Sequence, residues 1–140
     1  MRALAMFLAG LTLLLLLSLP LQPQASTPQP LILPLTCNGS DCPLLQGPPQ
    51  TAGMRSGFVR LKPGASVGWH STASNEEQLI VLHGQGDALI EGQLARPFNS
   101  PIAVYFPPAT RHNVTNTGSS DLEYVYVVAP AHKDGPPSNN

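Results

Sequence analysis

The sequence predicts an all-β domain, a single sandwich or barrel. Three observations carry that expectation. First, short runs rich in Val, Ile, Leu, Phe and Tyr recur along the chain, and several alternate apolar with polar residues. That is the period-two pattern of strands with one buried face. Second, the runs end at glycine or proline, of which the chain has 12 and 16, residues that turn the backbone or remove a ladder donor. Third, no segment beyond the N-terminal leader carries a helical stripe free of glycine and proline. Many short strands within roughly 80 residues are enough for one packed unit. There is no internal repeat.

The N-terminus reads as a secretory leader. A lone early charge, Arg2, precedes the apolar run AMFLAGLTLLLLLSLPL and the polar QPQAS. Cleavage is expected after Ala25, although Pro23 at the minus-three position makes that a weak site. The alternative is a retained N-terminal anchor with the domain facing outside, since about 17 apolar residues can just span a bilayer. No cysteine closely follows the run and no twin arginine precedes it, which argues against a lipoprotein anchor. The chain is therefore expected to be secreted or periplasmic.

Residues 26–53 read as a Pro-rich N-terminal segment. STPQPLILP is expected to be an extended linker, and GPPQTAG a turn-rich connection. Between them TCNGSDCP holds the chain's two cysteines, Cys37 and Cys42. Outside the cytoplasm, such a pair around Asn-Gly is most simply a disulfide. A loop that short contributes about 2 kcal/mol. A metal site on this spacing would need further thiols, and the chain has none.

Residues 54–130 carry the strands. GFVRLK alternates and stops at Pro63-Gly64, and SVGWH is short and β-like. EQLIVLH is a continuous apolar run ending at Gly84, and GDALIEG follows a tight corner, Gly84-Gln85-Gly86. IAVYF stops at Pro107-Pro108, and the β-branched, aromatic LEYVYVV ends before Pro130. The tail, residues 131–140, lacks the apolar residues to anchor it and is expected to be disordered.

Charge removes some functions. Arg2 leaves with the leader, so six of the seven Lys and Arg remain against eight Asp and Glu, a net charge of −2. Nucleic-acid binding needs clustered cations, and no basic patch is present for anionic lipid. The expected partner is a small molecule.

One constellation carries chemistry. Gly64, five residues, His70, one residue, Thr72, four residues, Glu77, six residues, Gly84 form an ordered series. Of the adjacent carboxylates Glu76 and Glu77, only Glu77 has a glycine at that last spacing. Downstream, PIAVYFPPATRHNVTN carries Pro107, His112 and Asn116. Together these resemble the first and second motifs of the cupins, over about Phe58 to Pro130. The second motif departs from the family at Pro101 and Ala109, where glycine is usual. Ala109 means that the turn before His112 must avoid positive φ or carry strain.

The resemblance implies a single jelly-roll-like cupin β-barrel and a divalent metal held by His70, Glu77 and His112. Two imidazoles and a carboxylate suit iron, manganese, zinc, copper or nickel. His70 and Thr72 are two apart and would share a strand face. Cupin sites of this type place a third histidine where Thr72 stands, and a threonine hydroxyl is a poor ligand. Either Thr72 leaves a coordination position open to water or substrate, or the metal site has decayed and the pocket only binds. The family includes dioxygenases, isomerases and decarboxylases, so the fold does not select a reaction. A non-catalytic barrel that senses or sequesters a ligand is the second reading. Family members often dimerise through an outer sheet, for which EYVYVV is the candidate edge.

Other residues have plainer expectations. His83 and Glu76 are read as solvent-facing or locally bonded, and Arg111 as a solvated loop residue or an anion contact at the mouth. Trp69 and Tyr105 would line the cavity or pack in the core. Asn38-Gly-Ser and Asn113-Val-Thr both fit the glycan acceptor pattern, but a glycan on Asn113 would crowd His112.

Overall fold

A computed structural model of the chain describes residues 27–131. The expected leader and nearly all of the tail lie outside those residues. The described residues form eight strands and no helix: β1 Asp41–Gln46, β2 Arg55–Leu61, β3 Asn75–His83, β4 Gln85–Ile90, β5 Arg96–Asn99, β6 Ile102–Phe106, β7 His112–Asn116 and β8 Leu122–Pro130. They make a five-stranded sheet in the order β1-β2-β8-β3-β6 and a three-stranded sheet in the order β5-β4-β7. Every pairing is antiparallel.

Alternation decides the faces. In β3, Glu77, Leu79 and Val81 are buried while Gln78, Ile80 and Leu82 are exposed. The apolar run is thus not buried on both sides. Its outward residues leave Ile80 and Leu82 on the surface, and Tyr105 of β6, opposite Gln78, is exposed on the same face. The inward residues of both sheets meet in one core of Val59, Leu61, Leu79, Val81, Ala88, Phe98, Phe106, Val114, Leu122 and Tyr124.

Cross-strand register then sets three rows on the inner face of the larger sheet. One runs Asp41, Val59, Tyr124, Val81; the next Pro43, Gly57, Tyr126, Leu79; the third Arg55, Val128, Glu77, Phe106. Paired residues point the same way, so every member of a row faces the interior.

The motif residues that carry no ligand atoms hold this frame. Gly84 turns β3 into β4 at φ 85°, where a Cβ would meet the Asp121 carbonyl at 2.6 Å. Asn116 is fully buried, donates to the carbonyls of Leu61 and Ser120 at 2.8 Å each, and accepts from the Gly118 N–H. It ties β2, β7 and the loop into β8 together.

Four elements differ from expectation. β1 lies within the segment read as linker, because DCPLLQ has a proline and no clean alternation, and its strand character comes from pairing with β2. Cys37 and Cys42 are bridged at its start, with Cα atoms 5.6 Å apart. The short β5 was not expected either; it contains Pro97, which an outermost strand tolerates. SVGWH is not a continuous strand. It pairs with β7 only through bridges at Ser66 and His70, interrupted by Gly68 at φ 88°. Finally, EYVYVV is not an edge. β8 is hydrogen-bonded to β2 on one side and β3 on the other, and β1 and β6 are the outer strands.

Candidate metal centre

His70 and His112 are placed by the backbone. His70 N–H donates to the His112 carbonyl at 3.0 Å, and His112 N–H returns the bond at 2.9 Å. This pair brings the two rings to a centroid separation of 4.3 Å. The corner ahead of His112 is held by the Ala109 N–H, which donates to the Ala73 carbonyl at 2.6 Å. Ala109 adopts φ 58°, so the alanine in the glycine position does carry left-handed backbone. Phe106 stacks on the His112 ring, with centroids 3.8 Å apart and an interplanar angle of 10°.

Glu77 comes from the opposite sheet. Its Oε2 lies 3.2 Å from His112 Nε2 and 3.8 Å from His70 Nε2. One ligand atom from each of the three residues falls within 4.8 Å of the others. Glu77 and His112 are buried, whereas His70 is exposed.

The donor set fits a cation. Each histidine Nδ1 lies 3.0 Å from a backbone carbonyl, that of Gly68 for His70 and of Thr110 for His112. A carbonyl can only accept, so each Nδ1 carries the proton and each neutral ring turns its Nε2 lone pair inward. Three acceptors therefore converge. Glu77 Oε2 and His112 Nε2 are buried with no hydrogen-bond partner, a costly state unless something positive sits between them. A metal ion supplies that charge, and so does a second proton on His112. Burial alone would lower the His112 pKa, but the Glu77 carboxylate and the Thr110 carbonyl outweigh it and raise it above the ordinary histidine value. His70, Glu77 and His112 could hold a metal ion.

His70 and Glu77 of the trio line a cavity of about 320 Å³, and His112 is buried beside them. Thr72 lines it too, yet its hydroxyl donates to the Asn75 carbonyl at 2.9 Å and closes a local turn. His70 and Thr72 share this cavity without lying on a regular strand. The other wall is the inner face of the larger sheet, with Asp41, Arg55, Val59, Tyr124, Tyr126 and Val128. Those polar members were not singled out from the sequence. The alternation of LEYVYVV puts Tyr124 and Tyr126 on one face, but only the register shows that face to be inward. Gly57 makes room for the Tyr126 ring, whose atoms a Cβ there would meet at 2.5–2.6 Å. Burial first, then the charges of Glu77 and Asp41, push the Tyr124 hydroxyl pKa up.

The remaining candidates lie outside. Trp69 and Tyr105 are exposed and line neither core nor cavity. Trp69 lies under the Arg111 guanidinium at 5.5 Å, and Arg111 pairs with Glu91 at 2.6 Å instead of meeting an anion in the cavity. Tyr105 donates to Glu76 at 3.1 Å. His83 faces solvent. Asn113 is 6% exposed, which leaves no room for a glycan, whereas Asn38 is exposed beside the disulfide.

The comparisons agree with this architecture. The family model described as the cupin domain matches residues 57–128. A Cupin 2 conserved barrel domain protein from Salinispora arenicola is similar at 28% identity and a TM-score of 0.57, over 77% of this chain and 92% of that one. An RmlC-like cupin family protein with a double-stranded β-helix fold from Methanocaldococcus jannaschii shares the fold at 19% identity and a TM-score of 0.59, over 72% of this chain and 91% of that one. The Cnp3 cupin domain of Schizosaccharomyces pombe does so at 15% identity and a TM-score of 0.58. That match covers 65% of this chain and 64% of that one, so the chain spans less than two thirds of that domain. No curated protein matches in sequence. With the family model covering the sheets from β2 to β8 and both motif histidines inside it, the chain belongs to the cupin family.

Proposed function

We propose that this chain is a small extracytoplasmic cupin that uses a divalent metal at His70, Glu77 and His112 to act on a small organic molecule. The observation that carries the reading is the convergence of three acceptor atoms, two of them buried without partners, beside a cavity that His70 and Glu77 line. A divalent cation there would supply Lewis acidity toward a carbonyl or enolate, or oxygen chemistry if it is iron. The chain's own part is positional. The Gly68 and Thr110 carbonyls fix the two imidazoles in one tautomer. Phe106 holds the His112 plane, and Glu77 brings the single carboxylate charge. Val67, Leu79 and Val114 keep part of the cavity wall apolar.

A second reading, a barrel that binds its ligand or metal without turnover, has one observation in its favour. Thr72 occupies the third-histidine place and spends its hydroxyl on Asn75, so no fourth protein ligand completes the set. Secretion rests on the leader and the Cys37–Cys42 bridge. Homodimerisation rests on the exposed apolar residues Ile80, Leu82 and Tyr105 on the outer face of the larger sheet.

The deciding experiment is elemental analysis of protein purified from its own compartment, followed by a substrate screen. About one metal per chain with turnover supports the enzyme, metal without turnover supports the binding barrel, and no metal in any preparation removes both forms of the metal reading.

A further inference from the structure

The cavity has a second polar wall that the metal trio does not use. Tyr124 is 2% exposed and lines the cavity. Among the described residues its hydroxyl meets no hydrogen-bond partner, unlike that of Tyr105, which donates to Glu76. The oxygen is not among the enclosed polar atoms left without a partner, so it is open to the cavity and free to donate to a guest. The register sets the aliphatic Val59 and Val81 on either side of Tyr124, and the Asp41 and Glu77 carboxylates of the same cavity act on it by charge without bonding it. One row along, the partly buried Tyr126 stands between Gly57 and Leu79, and among the described residues its hydroxyl makes no hydrogen bond. Two phenols on β8 thus open on the cavity from a surface that satisfies neither.

Charge narrows what could satisfy them. Asp41 and Arg55 also line the cavity and form no salt bridge with each other among the described residues. Arg55 shares an inner-face row with Glu77, one strand beyond Val128. With neutral imidazoles and a divalent ion at the trio, the ionised groups of the cavity leave one positive charge uncompensated. Asp41, Arg55 and His70 are exposed, so water screens part of that charge; a neutral guest would leave it uncompensated and a monoanion would cancel it. The volume of about 320 Å³ admits roughly ten non-hydrogen atoms at ~30 Å³ each.

We propose that Tyr124, assisted by Tyr126, is the recognition wall for a small organic monoanion whose carboxylate accepts the phenol hydrogen bonds while its remaining oxygen faces the trio. The inference rests on the reading that His70, Glu77 and His112 hold a divalent cation. Tyr124 acts here as a hydrogen-bond donor to the ligand and Tyr126 as its neighbour in the same role.

The test uses the mature full-length chain loaded with Co²⁺, whose uptake is measured by its visible spectrum before any ligand is added. Glycolate is then titrated calorimetrically, with ethylene glycol as the uncharged comparison. Wild type is expected to bind glycolate and not ethylene glycol. Tyr124→Phe should weaken glycolate about tenfold, the loss of one charge-assisted hydrogen bond, and Tyr126→Phe by less, both with Co²⁺ affinity unchanged. Equal glycolate affinity in wild type and Tyr124→Phe overturns the assignment, as does ethylene glycol binding as well as glycolate. If Tyr124→Phe lowers Co²⁺ affinity or the melting temperature as much as it lowers glycolate binding, the residue is structural and the recognition role is lost. Failure of wild type to take up Co²⁺ is a separate outcome, seen at the first step. It overturns the metal reading and with it the charge balance used here.

Discussion

His70 and His112 exchange both backbone hydrogen bonds, at 3.0 and 2.9 Å, although only one of them belongs to a named strand. The bridge makes their relative position a property of the main chain, so the two imidazoles are set before any ion arrives. Glu77, in contrast, reaches them from the other sheet, and the site is complete only when the two sheets are packed.

From this we expect the three ligands to fail differently. His112→Ala removes the buried ring and should abolish stoichiometric metal, while His70→Ala, at the exposed position, should leave weak binding. Metal content per chain, measured after identical dialysis, separates the two. Unchanged content in His112→Ala would show that the residue does not touch the ion.

Acidity should act through His112 in the metal-free protein. Its folded-state pKa is raised by Glu77 and the Thr110 carbonyl against the opposing effect of burial. A raised pKa contributes stability that is fully present below the unfolded value of about 6.5 and is lost as pH rises through the folded value. Thermal melts in chelator should therefore fall across that window above about pH 6.5, and Glu77→Gln should flatten the fall. Metal affinity should run the opposite way and strengthen with pH, because the ion displaces the proton. A melting temperature that does not respond to pH in either protein contradicts the coupling.

Thr72 tests the open coordination position. Thr72→His places an imidazole where the related sites carry one and should tighten metal binding by about 10- to 100-fold. It also removes the hydroxyl's bond to the Asn75 carbonyl, which should cost about 1 kcal/mol of stability. If the position serves substrate, turnover should drop as affinity rises. Titration of both proteins in one buffer is the measurement, and no gain in affinity would mean that the turn at residues 72–75 aims position 72 away from the ion.

Ala109 offers a stabilising change. At φ 58° its Cβ costs roughly 1 kcal/mol, which glycine does not pay. Ala109→Gly should raise the melting temperature by a few degrees, offset in part by the freer unfolded chain. Lower stability in that variant would mean that the Ala73–Ala109 contact needs the methyl group.

Much of the site was legible in the sequence because its determinants are local. Proline corners and glycines at fixed intervals dictate where Glu77 and His112 enter, and the residues at those intervals can be counted. Other parts depend on pairings between distant residues. DCPLLQ has no strand pattern of its own and becomes β1 only against β2. The inward turn of Tyr124 and Tyr126 follows from their register with Val59 and Gly57, and no feature of LEYVYVV alone distinguishes its two faces. Trp69 misled because an aromatic beside a ligand reads as a wall. Its partner is the Arg111 side chain on the outside.

Proline marks three of the four outer strands of the two sheets, all but β7. β1 carries Pro43 at a break in its register with β2, β5 carries Pro97, and β6 lies between Pro101 and Pro107. A strand edge is a template for another chain, and proline denies it a donor. Pro43→Val with Pro97→Thr should make light scattering grow more steeply with concentration than in the wild type; equal scattering would show that the edges are protected by other means. If the chain is secreted as proposed, and so folds beyond the cell's chaperones, these prolines would act as guards against fibre growth. Any pairing of copies, as proposed above, would then use the faces of the sheets in preference to these three rims.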